Sequence, residues 1–206
     1  MKKHIFRKNN APKNEPRYFA IYKPYQMLSQ FTDEGKYIGL KHLYDFPIDV
    51  YPVGRLDADS EGLLLLTNDN VLKHHLLTPK YEHPRTYCVQ VEGLPIEEAL
   101  QHLRKGVEIN LKGEQYTTLP AEVSLIEEPA DLPLREPPIR FRANIPTSWL
   151  QITLTEGKNR QVRRMTAAVG LPTLRLVRVK IGEIVLGKRQ SGDVWELKKE
   201  DFDYFL

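Results

Sequence analysis

Apolar and polar positions alternate in short blocks along this 206-residue chain. Tyr18-Phe19-Ala20-Ile21-Tyr22 is aromatic and β-branched, which predicts a strand, and Lys23-Pro24 stops it because proline cannot donate to a sheet ladder. Leu63–Thr67 is a compact apolar run closed by Asn68-Asp69-Asn70, the pattern of a buried strand entering a turn. Asn70 is then placed to cap a helix running to Leu77, with Pro79 marking its end. In Arg85–Glu92 the residues Tyr87, Val89 and Val91 alternate with Thr86, Cys88 and Gln90, the period of a half-buried strand. Ile96, Ala99, Leu100 and Leu103 recur at helical spacing over Ile96–Lys105, and Gly106 follows as a stop.

The second half repeats this vocabulary. Leu150, Ile152 and Leu154 alternate with Gln151, Thr153 and Thr155, predicting a strand that stops at Glu156-Gly157. A helix over Asn159–Val169 follows, with Val162, Met165, Thr166 and Val169 on one face and Arg160, Arg163 and Arg164 spread across another, closed by Gly170. Leu174–Val179 reads as a further strand with its arginines along one edge. Between the halves, residues 129–146 hold five of the fifteen prolines and little periodicity, which suggests a long surface excursion within one unit. Many short strands with two or three helices, and no repeat at a period of twenty to fifty residues, predict an α+β fold with a mixed sheet.

Composition narrows the class. The chain is 41% hydrophobic and 28% charged, ordinary for a globular protein, and no apolar run approaches the roughly 18 residues of a membrane span. The basic start (Lys2, Lys3, Arg7, Lys8) has no apolar region behind it and is not a secretory signal. Residues 1–16 read as a flexible basic arm, with order expected from Arg17. Cys88 is the only cysteine, which leaves no intramolecular disulfide and no cysteine-based zinc site, in keeping with a reducing compartment. The net charge of +3 conceals segregation: residues 18–134 carry ten Lys/Arg against eighteen acids, whereas 135–189 carry twelve against three. Such a basic stretch suits a polyanion, although it also describes a solvated surface balanced by the acidic middle.

Two clusters could carry chemistry. Gly54-Arg55-Leu56-Asp57-Ala58-Asp59-Ser60-Glu61-Gly62 is a glycine-bracketed acidic loop running into a buried strand, able to hold a carboxylate rigidly at the rim of a sheet; turn or cap duty is the plain alternative for Asp57 or Asp59. Glu156-Gly157-Lys158-Asn159-Arg160-Gln161-Val162-Arg163-Arg164-Met165 puts four cations at the start of a helix, where the dipole disfavours them, so a phosphate or a carboxylate should compensate unless the face is simply solvated. Gly35-Lys36 lacks P-loop spacing, and the adjacent His74 and His75 cannot form the i, i+4 pair of a helical zinc site.

Together these two clusters resemble the signature motifs of bacterial rRNA pseudouridine synthases of the RsuA family. Tyr22-Lys23-Pro24, Arg85-Thr86-Tyr87-Cys88-Val89 and Leu174-x-Leu176-x-Arg178-x-x-Ile181-Gly182 extend the likeness over about residues 17–197. Members of this family often begin with a small S4-type RNA-binding domain, for which sixteen residues are too few; this, with Pro146-Thr147-Ser148-Trp149, resembles a branch that modifies a single uridine of 23S rRNA. The resemblance implies one catalytic domain over 17–206, with a curved, mixed, mainly antiparallel sheet, flanking helices and a central RNA-binding cleft. It also implies Asp57 as the catalytic aspartate, Arg163 as the arginine paired with it, and Tyr87 as the ring that stacks on the target base. Arg55 matches a residue that enters the RNA where the base has left. The basic groove would be lined with Lys158, Arg160, Arg164, Arg175 and Arg178.

The implied reaction breaks N1–C1′, rotates the uracil and joins C5 to C1′, without net redox change or hydrolysis, so neither cofactor nor metal is expected. A carboxylate with a cation beside it suffices, and an aromatic face offsets part of the cost of extruding the base. The expected partner is 23S rRNA or a large-subunit assembly intermediate, met by a monomer in the cytoplasm and not at a membrane. Two other classes are an rRNA-binding assembly protein without chemistry, against which the complete Asp57, Tyr87 and Arg163 set speaks, and a glycosidase using Asp57 with Asp59 or Glu61. Carboxylates on one tight loop cannot readily take the opposed positions that a glycosidase needs.

Overall fold

The computed structural model describes residues 15–139 and 145–205; most of the expected basic arm, along with Arg140 and Arg142 of the basic stretch, lies outside the described residues. The strands in chain order are β1 (Tyr18–Lys23), β2 (Tyr51–Pro52), β3 (Glu61–Thr67), β4 (Arg85–Glu92), β5 (Glu108–Leu111), β6 (Glu114–Thr117), β7 (Glu122–Ile126), β8 (Thr147–Leu154), β9 (Thr173–Ile181), β10 (Ile184–Val185) and β11 (Val194–Leu197). The helices are α1 (Asn70–Leu77), α2 (Glu97–Lys105) and α3 (Gln161–Ala168), with 3₁₀ turns that include Lys199–Phe205 at the C-terminal end. The fold is thus α+β, with a mixed, mainly antiparallel sheet in the order β11-β1-β3-β9-β4-β8-β7. The β3–β9 pair is parallel, and β5–β6 forms a separate hairpin.

Central strands explain two departures from the sequence pattern. β4 lies between β9 and β8; Tyr87, Val89 and Val91 are buried and Thr86 and Gln90 half-buried, as alternation predicts, but Cys88 on the second face is buried as well. On β9 the arginines do not share an edge: three residues apart on a strand, Arg175 and Arg178 point to opposite faces, and both are buried. At Gly62 (φ 104°) a Cβ would run into the carbonyl oxygen of Arg178, so glycine is what allows β3 to approach β9 closely.

Helix ends shift by a residue or two for local reasons. Asp69, not Asn70, caps α1, its Oδ1 accepting from the amides of Val71 (2.9 Å) and Leu72 (3.1 Å). α2 has no side-chain cap but carries Glu97 and Glu98 in its first turn and His102, Arg104 and Lys105 in its last, matching the helix dipole at both ends. α3 begins at Gln161 because Arg160 takes a left-handed conformation (φ 52°).

Two cores flank the sheet. One gathers Ile21, Leu64, Val89, Leu150 and Ile152 with Leu100 and Leu103 of α2 and Val162 and Met165 of α3. The other gathers Tyr18, Tyr22, Leu63 and Leu65 with Leu72 and Leu76 of α1 and Phe202 and Phe205. A cleft of about 670 Å³ opens where they meet, lined by Leu56, Tyr87 and Val162 from the first core and Val53, Leu65 and Leu76 from the second.

Candidate active site

The loop before β3 is pinned on both sides of Asp57. Ser29 Oγ donates to the carbonyl of Leu56 (2.8 Å) and accepts from its amide (2.9 Å), the amide of Gln26 donates to Ala58 O (2.7 Å), and that of Ser60 donates to Asp57 O (3.0 Å). With Leu56 buried, the loop has little freedom left, and the Asp57 carboxylate stands at the cleft wall with 37% of its side chain exposed.

The start of α3 faces this loop. Arg160 donates to both carboxylate oxygens of Asp59 (3.0 and 2.8 Å), and the same Nη1 lies 3.7 Å from Asp57 Oδ2. Arg163 sits deeper, donating to the backbone carbonyl of Asp59 (2.6 Å) and to Thr173 O (3.5 Å), with its Nε 3.4 Å from Asp59 Oδ2. In this structure the direct ion pair of Arg163 is with Asp59, the charge of Asp57 acting on it from further off, and Arg160 is the cation beside Asp57. The reason lies in the chain path, since Arg163 is one helical turn behind the exposed end that Arg160 occupies. Burial works to raise the Asp59 carboxyl, but the hydrogen bonds from Arg160 and the charge of Arg163 outweigh it and hold the group below its ordinary value. Burial lowers Arg163, while the bond to Asp59 raises Arg160.

Tyr87 lines the same cleft. A register shift between Thr86 and Tyr87 leaves Val179 of β9 without a partner on β4 and sets Tyr87 opposite Arg178. Arg55, Lys158, Arg160 and Arg178 also line it, so four of the six expected groove cations are where RNA could meet them. Two are not. Arg164 turns away to Asn110 O of the β5–β6 hairpin and to Asn159 O (3.0 Å), fastening that hairpin to α3. Arg175, only 6% exposed, is locked to Glu61 by two hydrogen bonds (3.0 and 2.8 Å) and also donates to Pro133 O (2.9 Å); a buried charge needs such a partner, and this pairing removes it from any phosphate.

Three supporting groups were not singled out for chemistry by sequence. Lys23 is wholly buried; its Nζ donates to Pro24 O (2.8 Å) and Met27 O (2.6 Å), and burial pulls the ammonium down to about 7 against the opposing pull of Glu61, Asp59 and Asp57. Glu156 accepts from Tyr116 Oη (2.6 Å), the amide of Leu119 (2.8 Å) and Gln161 Nε2 (2.6 Å), while Gln161 Oε1 accepts from the amide of Lys158 (2.9 Å). This carboxylate thereby fixes the turn that delivers Arg160. Arg85 is the third, and it lines the cleft beside Tyr87. The signals were a Lys-Pro step after β1 and an acid heading the second cluster, but neither spacing reveals its partners.

Residues 17–168 match the family described as RNA pseudouridylate synthase. Over 178 residues, covering 85% of this chain and 71% of the relative, the chain is 55% identical to a protein of Vibrio parahaemolyticus named ribosomal large subunit pseudouridine synthase E. A Vibrio vulnificus protein of the same name is 50% identical over 95% of this chain and 84% of its own length. A Bacillus subtilis ribosomal large subunit pseudouridine synthase B is 36% identical over 90% of this chain and 69% of its own. A crystal structure of a pseudouridylate synthase superposes with a TM-score of 0.76 at 28% identity, covering 93% of this chain and 74% of that one.

Proposed function

The chain belongs to the RNA pseudouridylate synthase family, and from that premise we propose that it isomerises one uridine of 23S rRNA to pseudouridine, with Asp57 as the reacting carboxylate. One observation carries the assignment to Asp57: its loop is hydrogen-bonded on both sides and presents the carboxylate, with Arg160 Nη1 3.7 Å away, to a cleft that Tyr87 also lines.

The reaction cleaves N1–C1′, turns the freed uracil and joins C5 to C1′; C5 loses its proton and N1 gains one, so the sum is an isomerisation. A carboxylate can start it by attacking C1′ or by taking the 2′ proton, and both routes need the negative charge that Arg160 stabilises. The base must leave its stack, and the face of Tyr87 offers stacking of about 1–3 kcal/mol in return. The Tyr87 hydroxyl is the group we assign to the C5 proton, because neither signature cluster contains a histidine. Arg55 and Lys158 supply phosphate affinity at the mouth, Arg160 is held by Asp59 beside Asp57, Arg178 lies inside, and Arg163 holds the loop through Asp59 O. We further propose that it acts as a monomer in the cytoplasm, where this RNA is made. Among the described residues no helix is long and apolar enough to cross a membrane.

The test uses 23S rRNA transcribed with tritium at uracil C5. The purified protein should release about one tritium per transcript to water, and an assembling large-subunit particle in place of the transcript shows which form is the substrate. No release from either would overturn the reading.

A further inference from the structure

The inner wall of the cleft holds two guanidinium groups, that of Arg178 buried and that of Arg85 half-buried, which form no ion pair with the protein's acids among the described residues. Arg85 donates to two neutral carbonyls, Leu76 O (3.0 Å) and His83 O (3.3 Å). Burial lowers its pKa and the like charge of Arg178 lowers it further, and no carboxylate is among the groups that act on it. Arg178, 4% exposed, donates through Nε to Leu63 O (2.8 Å), while its Nη2 is buried without a partner. Neither arginine makes an ion pair among the described residues, yet both line the cleft. Arg175, three positions earlier on β9, shows the contrast, since its charge is fully matched by Glu61. Two cations on neighbouring strands, one buried and one half-buried, with only carbonyls as hydrogen-bond acceptors, leave a deficit of negative charge at that point.

The deficit lies beside the stacking ring. Tyr87 stands opposite Arg178 in register, and Arg85 is two residues before it on the same strand, hence on the same side. The outer cations are different in kind: Arg55 and Lys158 are exposed, and Arg160 is committed to Asp59. We propose that Arg85 and Arg178 form an inner phosphate subsite, which takes a backbone phosphate adjoining the target uridine once its base lies against Tyr87. This rests on the reading given under Proposed function. Guanidinium forks match phosphate oxygens, and such a bond strengthens in a water-poor site. The phosphate reaches the subsite only when the nucleotide has left the helix, so the contact favours the extruded state over the initial complex. Its loss slows the chemical step and leaves encounter affinity almost unchanged.

The experiment uses an rRNA fragment carrying the modified uridine, in three forms: natural, with a neutral methylphosphonate on its 5′ side, and with one on its 3′ side. Single-turnover rates and Kd are measured for the wild type, Arg85→Met and Arg85→Lys. One of the two methylphosphonates should slow the wild type by about tenfold to a hundredfold, the range of a charge-assisted hydrogen bond, with Kd changed less than about threefold. Arg85→Met should be slowed as much on natural RNA and lose less than about threefold more on that methylphosphonate, and Arg85→Lys should fall between. An undiminished methylphosphonate penalty in Arg85→Met, or no penalty in the wild type, overturns the proposal. So does inhibition of the wild type but not of Arg85→Met by millimolar inorganic phosphate with no methylphosphonate effect, which would mark a site for free anions. If Arg85→Met fails to fold, the wild-type and Arg85→Lys comparisons still decide. Failure of the underlying functional reading is separate: the wild type would then form no pseudouridine in the natural fragment.

Discussion

Replacing Asp59 by asparagine keeps the side chain's shape and removes one charge from a cluster of two acids and two arginines. By position alone Asp59 is a neighbour of the reacting group that a variant should spare, but the geometry gives it a larger part. It receives both arms of Arg160 (3.0 and 2.8 Å) and lies 3.4 Å from Arg163 Nε. The Arg160–Asp59 pair is about two-fifths exposed on one side and a third on the other, so its loss alone is worth only about 0.2–1 kcal/mol. Arg163 is more enclosed, at 13% side-chain exposure, and loses the nearest opposing charge, which brings the total to about 1–2 kcal/mol. If that energy positions Asp57, kcat/KM falls about five- to thirtyfold. A chain of this size should lose about 2–4 °C in Tm per kcal/mol. Tritium release from C5-labelled rRNA, followed under single-turnover conditions beside thermal unfolding, reads both. Activity within twofold of wild type would refute the positioning argument, and loss as complete as that of Asp57→Asn would refute the division of roles between the two aspartates.

Other expectations follow from the same contacts. Tyr87→Phe keeps the stacking face and removes the hydroxyl, so RNA binding should persist while product release is severely slowed, with Tyr87→Leu also weaker in capturing the base; wild-type-like rates for Tyr87→Phe in single-turnover assays would leave stacking alone. Log K for rRNA should fall by roughly 0.7–0.9 per log unit of salt for each phosphate neutralised, and Lys158→Ala should lower that slope by about one phosphate, as titrations at several salt concentrations will show. Arg175→Ala should leave the slope unchanged and destabilise the fold by about 3–5 kcal/mol in denaturant unfolding, because Glu61 is left buried and unpaired. The Lys23 ammonium is held down to about 7, so the unfolded chain binds more protons between pH 7 and 10.5; the stability of wild type relative to Lys23→Met should therefore rise across that window and level off above it, and a flat difference in urea unfolding would contradict this.

The elements that alternation or periodicity announces were readable. β4 over Arg85–Glu92 matches residue for residue, and β3 and α1 lie within two residues of where their patterns put them. Misreadings arose where a distant partner decides the outcome. Arg175 looks like a groove residue until Glu61, 114 positions away, is seen to claim it. Alternation gave no hint that Cys88 is buried on the more open face of β4, or that Arg160 turns left-handed before α3. At the site, the two motif segments meet at one cleft, but that Arg163 pairs with Asp59 and not with Asp57 depends on which end of a helix meets a loop a hundred residues earlier. The unpaired state of Arg85 is likewise a property of its surroundings, invisible in the residue itself.

The most direct test of the central claim is a map of pseudouridines in 23S rRNA from a strain lacking this protein, complemented with the wild type or with Asp57→Asn. One position should lose its pseudouridine in the deletion, regain it with the wild type and stay unmodified with Asp57→Asn present at the same level. An unchanged map in the deletion, or restoration by Asp57→Asn, would contradict the account.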